Sequence, residues 1–262
     1  MNDSSFGSEN GLEAGSEETL AEVAVERLTA DIVSGVLEPG TKLRIEVLRK
    51  NYGMGASPLR EALARLCSEG LVTSTSHRGF RVAPMSKEDL EDITCVRQTI
   101  ESTALRRAIR FGDHEWELGI VAAMARMKHF VEQHRVSGGR NLSMAEPVHK
   151  PLHAALIAAC RSQRLVHLQE LYYDQALRYR HILLEELHDR DAFLRSHQEL
   201  VDVVLRRDSD DACDALCTHL AITPREVYPD AEGRRKRHEG ARPAGSRKAA
   251  RGPAASTGRR PR

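Results

Sequence analysis

His149 and His153 stand four residues apart, so on a helix they share one face and can share a metal ion. His197 follows 44 residues later and His219 another 22, each on a separate expected helix. Four helix-borne imidazoles converging inside a bundle would suit Zn²⁺ or Ni²⁺. The competing reading is that these four of twelve histidines are scattered surface and core residues, and an i, i+4 pair alone favours it. Pro151 lies between the first two and would kink the helix or mark its start.

A second constellation surrounds Ser57-Pro58, which reads as an N-cap followed by proline at the first helical position. On the helix expected from Pro58 to Glu69, Leu59, Leu63 and Leu66 form a buried stripe, and Ser57, Arg60 and Ala64 form another face. An arginine in the first turn of such a helix can pair with guanine O6 and N7, worth about 1–3 kcal/mol of discrimination. Ser57 and the free N–H groups of the helix start suit a phosphate. The alternative is that Arg60 and Glu61 are simply a solvated face.

The elements that must position these residues fall into two blocks. In block 18–84, Thr19 and Glu22 have capping-box spacing, and Leu20, Ala24, Leu28 and Ile32 mark one helix face ending near Gly35. Pro39-Gly40 is a turn, a short helix runs from Ile45 to Tyr52, and Gly53 stops it. After Gly70, Leu71–Thr75 and Phe80–Val82 make a hairpin with His77 and Arg78 at its tip, suited to a phosphate or the minor groove. Three helices plus a hairpin is the plan of a winged helix-turn-helix. Block 86–229 reads as helix throughout. Ser86 and Asp89 form a further capping box, and Trp116, Ile120, Met124, Met127 and Val131 step by three and four. Leu152, Leu156 and Ala159 continue the pattern, as do Val201, Val204 and Leu205. Gly112, Gly138-Gly139 and Asp189 mark breaks, giving a bundle of about six helices.

The flanks differ. Residues 1–17 are Ser, Gly and acid rich, and 230–262 are Arg, Ala, Gly and Pro rich; both read as disordered, the second as a basic tail. Net charge is +1 over 262 residues, which would argue against a nucleic-acid partner were it uniform. It is −5 over residues 1–19, +2 over 20–84, −4 over 85–229 and +8 over 230–262. Aromatic residues make up only 4%, which leans away from a β-sandwich. No apolar run reaches the ~18 residues of a membrane span, and the acidic start is not a signal peptide, so the expected location is cytoplasmic, with no membrane partner. Five cysteines with no CxxC pair read as reduced, mostly core thiols.

The stretch from Gly35 to Val82 resembles the DNA-binding domain of GntR-family transcription regulators. The matching pieces are Gly35-x-Leu37-x-Pro39-Gly40, Leu43-Arg44, Ser57-Pro58-Leu59-Arg60-Glu61-Ala62-Leu63, Glu69-Gly70-Leu71-Val72 and Arg78-Gly79. The resemblance implies that Arg44, Ser57, Arg60, His77 and Arg78 touch DNA. Where many members carry Arg before the Ser/Thr-Pro step, this chain has Ala56. Residues 86–225 resemble the all-helical FCD ligand-binding domain of the FadR branch, through Arg97-x3-Glu101, His149-x3-His153-x2-Leu156, Ser196-His197 with Asp208 downstream, and His219-Leu220. There the first metal ligand is usually Asp; here it is His149, and Glu146 could reach the same helix face. Three segments, "HKPLHAALIAAC", "LYYDQALRYR" and "GASPLREAL", resemble the carbon-starvation-induced repressor subgroup, which senses glutarate.

The expected fold is therefore mainly α, a winged helix-turn-helix followed by an FCD bundle. The expected function is a DNA-binding regulator, a homodimeric repressor on a two-fold operator, controlled by a small carboxylate such as a dicarboxylate. The carboxylate would ligate the metal while Arg97 clamps its other end, with Tyr173 and Arg178 on the far wall. Arg97 could instead be a structural partner of Glu101. An enzyme acting on a small organic acid is disfavoured: His149 is followed by Lys150, so HExxH is absent, and no nucleophile is paired with a base. A non-specific architectural DNA binder driven by the basic tail is the remaining alternative.

Overall fold

The computed structural model describes residues 19–75, 79–136, 145–183 and 190–229. The hairpin tip with His77 and Arg78, Gly138-Gly139, Asp189, the leader and the basic tail lie outside the described residues.

Helix α1 (Leu20–Val33) starts on the expected capping box: Thr19 N–H donates to Glu22 Oε2 at 2.7 Å and Glu22 N–H to Thr19 Oγ1 at 3.2 Å. Ala24, Leu28 and Ile32 are buried, but Leu20 is 65% exposed because it lies beyond the core at the helix start. A two-residue strand, β1 (Lys42–Leu43), precedes α2 (Ile45–Tyr52), which ends on left-handed Gly53. Two residues are too few to show an alternating pattern, so β1 has no sequence signature. Helix α3 (Ala56–Ser68) buries Leu59, Ala62, Leu63 and Leu66 against α1 and α2. Its N-cap is Gly55, not Ser57, so Ser57-Pro58 sits inside the first turn. Proline is tolerated there because first-turn N–H groups have no intrahelical acceptor.

Strands β2 (Val72–Thr75) and β3 (Gly79–Val82) form the expected hairpin, and β1 adds to β3, giving the antiparallel order β1-β3-β2. The register pairs Lys42 with Arg81 and Val72 with Val82.

Seven α-helices follow among the described residues: α4 (Lys87–Phe111), α5 (His114–Val136), α6 (Glu146–Ile157), α7 (Gln163–Leu183), α8 (Arg190–Leu205), α9 (Ser209–Leu220) and the short α10 (Ile222–Val227). Their core joins Leu105, Trp116, Ile120, Met127, Leu156, Val204 and Leu216. Ser86 caps α4 by accepting from Asp89 N–H at 3.1 Å. The return bond of a capping box is replaced: Ser86 N–H donates to Tyr179 Oη at 3.1 Å, and Tyr179 in turn donates to the Asp89 carboxylate. The five cysteines are free; Cys160 and Cys213 are buried, whereas Cys95 is exposed. No helix among the described residues is long and apolar enough to cross a membrane.

Candidate functional site

The first candidate surface is the start of α3. The buried leucine stripe fixes the helix against α1, and Ser57 and Arg60 are exposed on its other side. Arg44 is exposed at the N-cap of α2, where its carbonyl accepts from Val47 and Leu48 N–H at 3.0 Å. A helix, a glycine turn through Gly53 and a second helix thus present Arg44, Ser57 and Arg60 to solvent.

The second candidate lies inside the helical bundle. Helix α6 begins at Glu146 with Pro147 in its first turn and runs through Pro151 to Ile157. Pro151 has no N–H to give to position 147, yet His149 and His153 keep the i, i+4 arrangement, with their Nε2 atoms 3.1 Å apart. Helix α8 adds His197 and α9 adds His219. One ring nitrogen from each of the four lies within 4.8 Å of every other. His149, His153 and His197 are buried; His219 is partly exposed, but its Nδ1 is buried.

Hydrogen bonds to neighbouring groups fix the tautomers of His197 and His149. His197 Nδ1–H donates to the Phe193 carbonyl at 2.7 Å, leaving Nε2 as a buried lone pair without a protein partner. His149 Nδ1 lies 2.9 Å from Tyr173 Oη and 3.6 Å from Glu146 Oε2, so it carries the proton and Nε2 faces His153. His153 Nδ1 and His219 Nδ1 are also buried without partners. Burial, reinforced by neighbouring imidazoles, holds His153 and His197 well below the usual histidine range. Burial and the His149 field push His219 down to about 3. Burial lowers His149 too, against the pull of Glu146. All four are thus neutral, the form that ligates a cation. A tetrahedral site with Zn–N of about 2.0–2.1 Å needs nitrogens roughly 3.3 Å apart. The His149 and His153 Nε2 atoms stand 3.1 Å apart, close to that demand, with His153 Nε2–H donating to His149 Nε2.

Around this cluster stand two buried arginines. Arg97 Nε donates to Glu101 Oε1 at 2.7 Å, so the structural pair does form, but its Nη2 remains buried and unpartnered. Arg180 was not singled out from the sequence. Its Nη2 lies 3.6 Å from Glu146 Oε2, too long for a hydrogen bond, and its Nε is also unpartnered. Both guanidinium carbons lie 5.2 Å from the centroid of the Tyr173 ring. Tyr173 is buried and donates to Glu146. Burial would raise the Glu146 carboxyl, but Arg180 and His149 outweigh it and hold it well below the usual range.

Arg178 goes elsewhere. Its guanidinium donates to the carbonyls of Ala83 at 3.2 Å and Pro84 at 3.0 Å, in the linker between the two blocks. Helical geometry explains the exchange: position 180 is seven residues from Tyr173 and shares its face, whereas 178 is five residues away and does not. Asp208 is also structural, capping α9 through Asp210 and Asp211 N–H.

Comparison with known proteins agrees with this two-part construction. The model of the gntR family of bacterial regulatory proteins matches residues 20–82, and that of the FCD domain matches 92–221. The HTH-type transcriptional repressor GlaR of Escherichia coli K12 is 35% identical over 214 residues, spanning 78% of this chain and 93% of that protein. The chain belongs to the gntR family. It is a DNA-binding transcription regulator with an FCD domain. The HTH-type transcriptional regulator BphR of Paraburkholderia xenovorans is 33% identical over 220 residues, spanning 83% and 89% of the two chains. The solved structure of E. coli McbR/YncC aligns with TM-score 0.66 at 18% identity, over 80% of this chain and 97% of that one. A GntR regulator from Rhodococcus sp. RHA1 aligns with TM-score 0.63 at 19% identity, over 79% and 96%. These two share the fold.

Proposed function

We propose that this gntR-family regulator is a repressor released from its operator by a small dicarboxylate bound at a metal-bearing histidine cluster. The observation that carries this reading is the set of buried, unpartnered donors on Arg97 and Arg180 beside four neutral imidazoles. Buried donors without acceptors are costly, by about 1–3 kcal/mol each, and a carboxylate supplies acceptors with matching fork geometry. Charge supports a dianion. Arg97 is balanced by Glu101 and Arg180 by Glu146, so a divalent cation would leave the site with two positive charges. His149, His153, His197 and His219 would hold the metal, which would take one carboxylate by expanding beyond four ligands. Arg97 and Arg180 would orient the other end, with Tyr173 between them.

On the DNA side, Arg60 would read a guanine edge, and Arg44 and Ser57 would meet phosphates. A homodimer would place two such helices one turn of DNA apart, about 34–36 Å. The effector would weaken binding by shifting the population of that arrangement. A gel-shift assay on the protein's own upstream region tests this, run with Zn²⁺ and a panel of short mono- and dicarboxylates. A dicarboxylate is expected to weaken operator binding by about 5–150-fold, the usual span of allosteric coupling. Arg180→Met should keep the metal and lose most of that response. A panel in which no acid changes affinity would sink the effector reading.

A further inference from the structure

The helix that brings Tyr173 and Arg180 to the cluster also touches the DNA-reading half. At 100° per residue, Gln175 and Arg178 project from the side of α7 opposite Tyr173 and Arg180. Gln175 Nε2 donates at 2.8 Å to the carbonyl of Glu69, the C-cap residue of α3. That carbonyl is one of those a helix end leaves without an intrahelical partner. Helix α3 closes with Leu71 N–H on Leu66 O at 3.0 Å and Gly70 N–H on Cys67 O at 3.3 Å, the Schellman pattern. Those bonds leave the Glu69 carbonyl to Gln175. The approach is close: a Cβ at Gly70, where φ is +73°, would lie 2.8 Å from Gln175 Nε2. One turn further on, Arg178 holds the Ala83–Pro84 carbonyls and Tyr179 accepts from Ser86 N–H. Of these contacts, Gln175's is the one that ends on α3.

We infer that Gln175 is a positioning residue, tying the end of the recognition helix to the helix that carries Tyr173 and Arg180. The inference rests on the effector reading given above. A carboxylate that takes the free donors of Arg180 competes with Glu146 for that guanidinium, and α7 must readjust to hold both. The opposite side of the same helix then moves against the Glu69 carbonyl. A rigid helix with one face on each site is a physical path for coupling.

Gln175→Met keeps the length of the side chain and removes the amide donor. Two measurements on the full chain test the role. Amide hydrogen exchange at Gly70 and Leu71 is expected to be faster in Q175M than in wild type. Operator affinity is measured with and without Zn²⁺ plus glutarate as probe. Wild type should weaken by about 5–150-fold on adding the probe, and Q175M by about twofold or less. Unchanged protection at Gly70 and Leu71, or a Q175M response as large as the wild type's, overturns the inference. A wild type that ignores the probe counts against the effector reading alone, and the exchange rates still decide whether Gln175 holds α3.

Discussion

Replacing His153 by alanine should strip the bulk of the bound divalent metal and abolish the carboxylate response together. His153 sits among the other three imidazoles, with ring centroids 4.7 Å from His149, 5.7 Å from His197 and 5.3 Å from His219. A group that merely hydrogen-bonds to a ligating histidine is worth about 10–100-fold in metal affinity, so removing a ligand should exceed that. The apo fold should tolerate the change better than an ordinary large-to-small core substitution. Deleting an imidazole leaves a cavity and breaks the 3.1 Å hydrogen bond to His149, but it also removes a buried ring nitrogen without a partner. Metal content by mass spectrometry of the purified protein, alongside operator titrations with Zn²⁺ and glutarate, reads both effects. Retained metal would reassign the cluster to packing. Retained response after metal loss would move the effector to a site elsewhere in the bundle.

The helical periodicity placed the buried stripes well, because burial writes a three-and-four spacing that survives in one dimension. Leu59, Leu63 and Leu66, and Trp116, Ile120, Met124, Met127 and Val131, are all buried as that spacing predicts. The four histidines could be listed from the sequence, but only the resemblance favoured their convergence, since spacing ties together His149 and His153 and says nothing of how α8 and α9 approach them. Arg180 was missed for a simpler reason. Arg178 lies nearer Tyr173 in sequence, whereas the face is set by seven-residue spacing, and Arg180 is at i+7. The clamp from Gln175 to Glu69 joins positions 106 residues apart, and no local pattern encodes it. Cap details were also beyond reach. Ser57 carries the right side chain for an N-cap, but α3 begins two residues earlier, at a glycine-capped turn. The Ser86 box is half replaced by Tyr179, a partner from another helix.

Arg60→Ala should cost operator discrimination rather than fold. Arg60 is exposed on α3, and the residues that hold that helix, Leu59, Ala62, Leu63 and Leu66, lie on its buried side. Truncating it touches no core contact, so stability should change by no more than about 0.5 kcal/mol. If Arg60 pairs with a guanine, its loss removes about 1–3 kcal/mol of discrimination, or roughly 5–150-fold between the operator and one altered at that base. The salt dependence should hardly change, because a base contact releases few counterions, whereas Arg44→Ala should lower the salt slope by about one unit and weaken all sequences alike. The charge of the DNA-reading block makes this contrast sharp. Residues 20–84 carry a net charge of only +2, so diffuse attraction contributes little there and specific contacts must supply the selectivity. Competition titrations of wild type and R60A against the operator and its altered form, at two salt concentrations, separate the terms. Equal discrimination in the two proteins would mean that α3 reads DNA through other side chains.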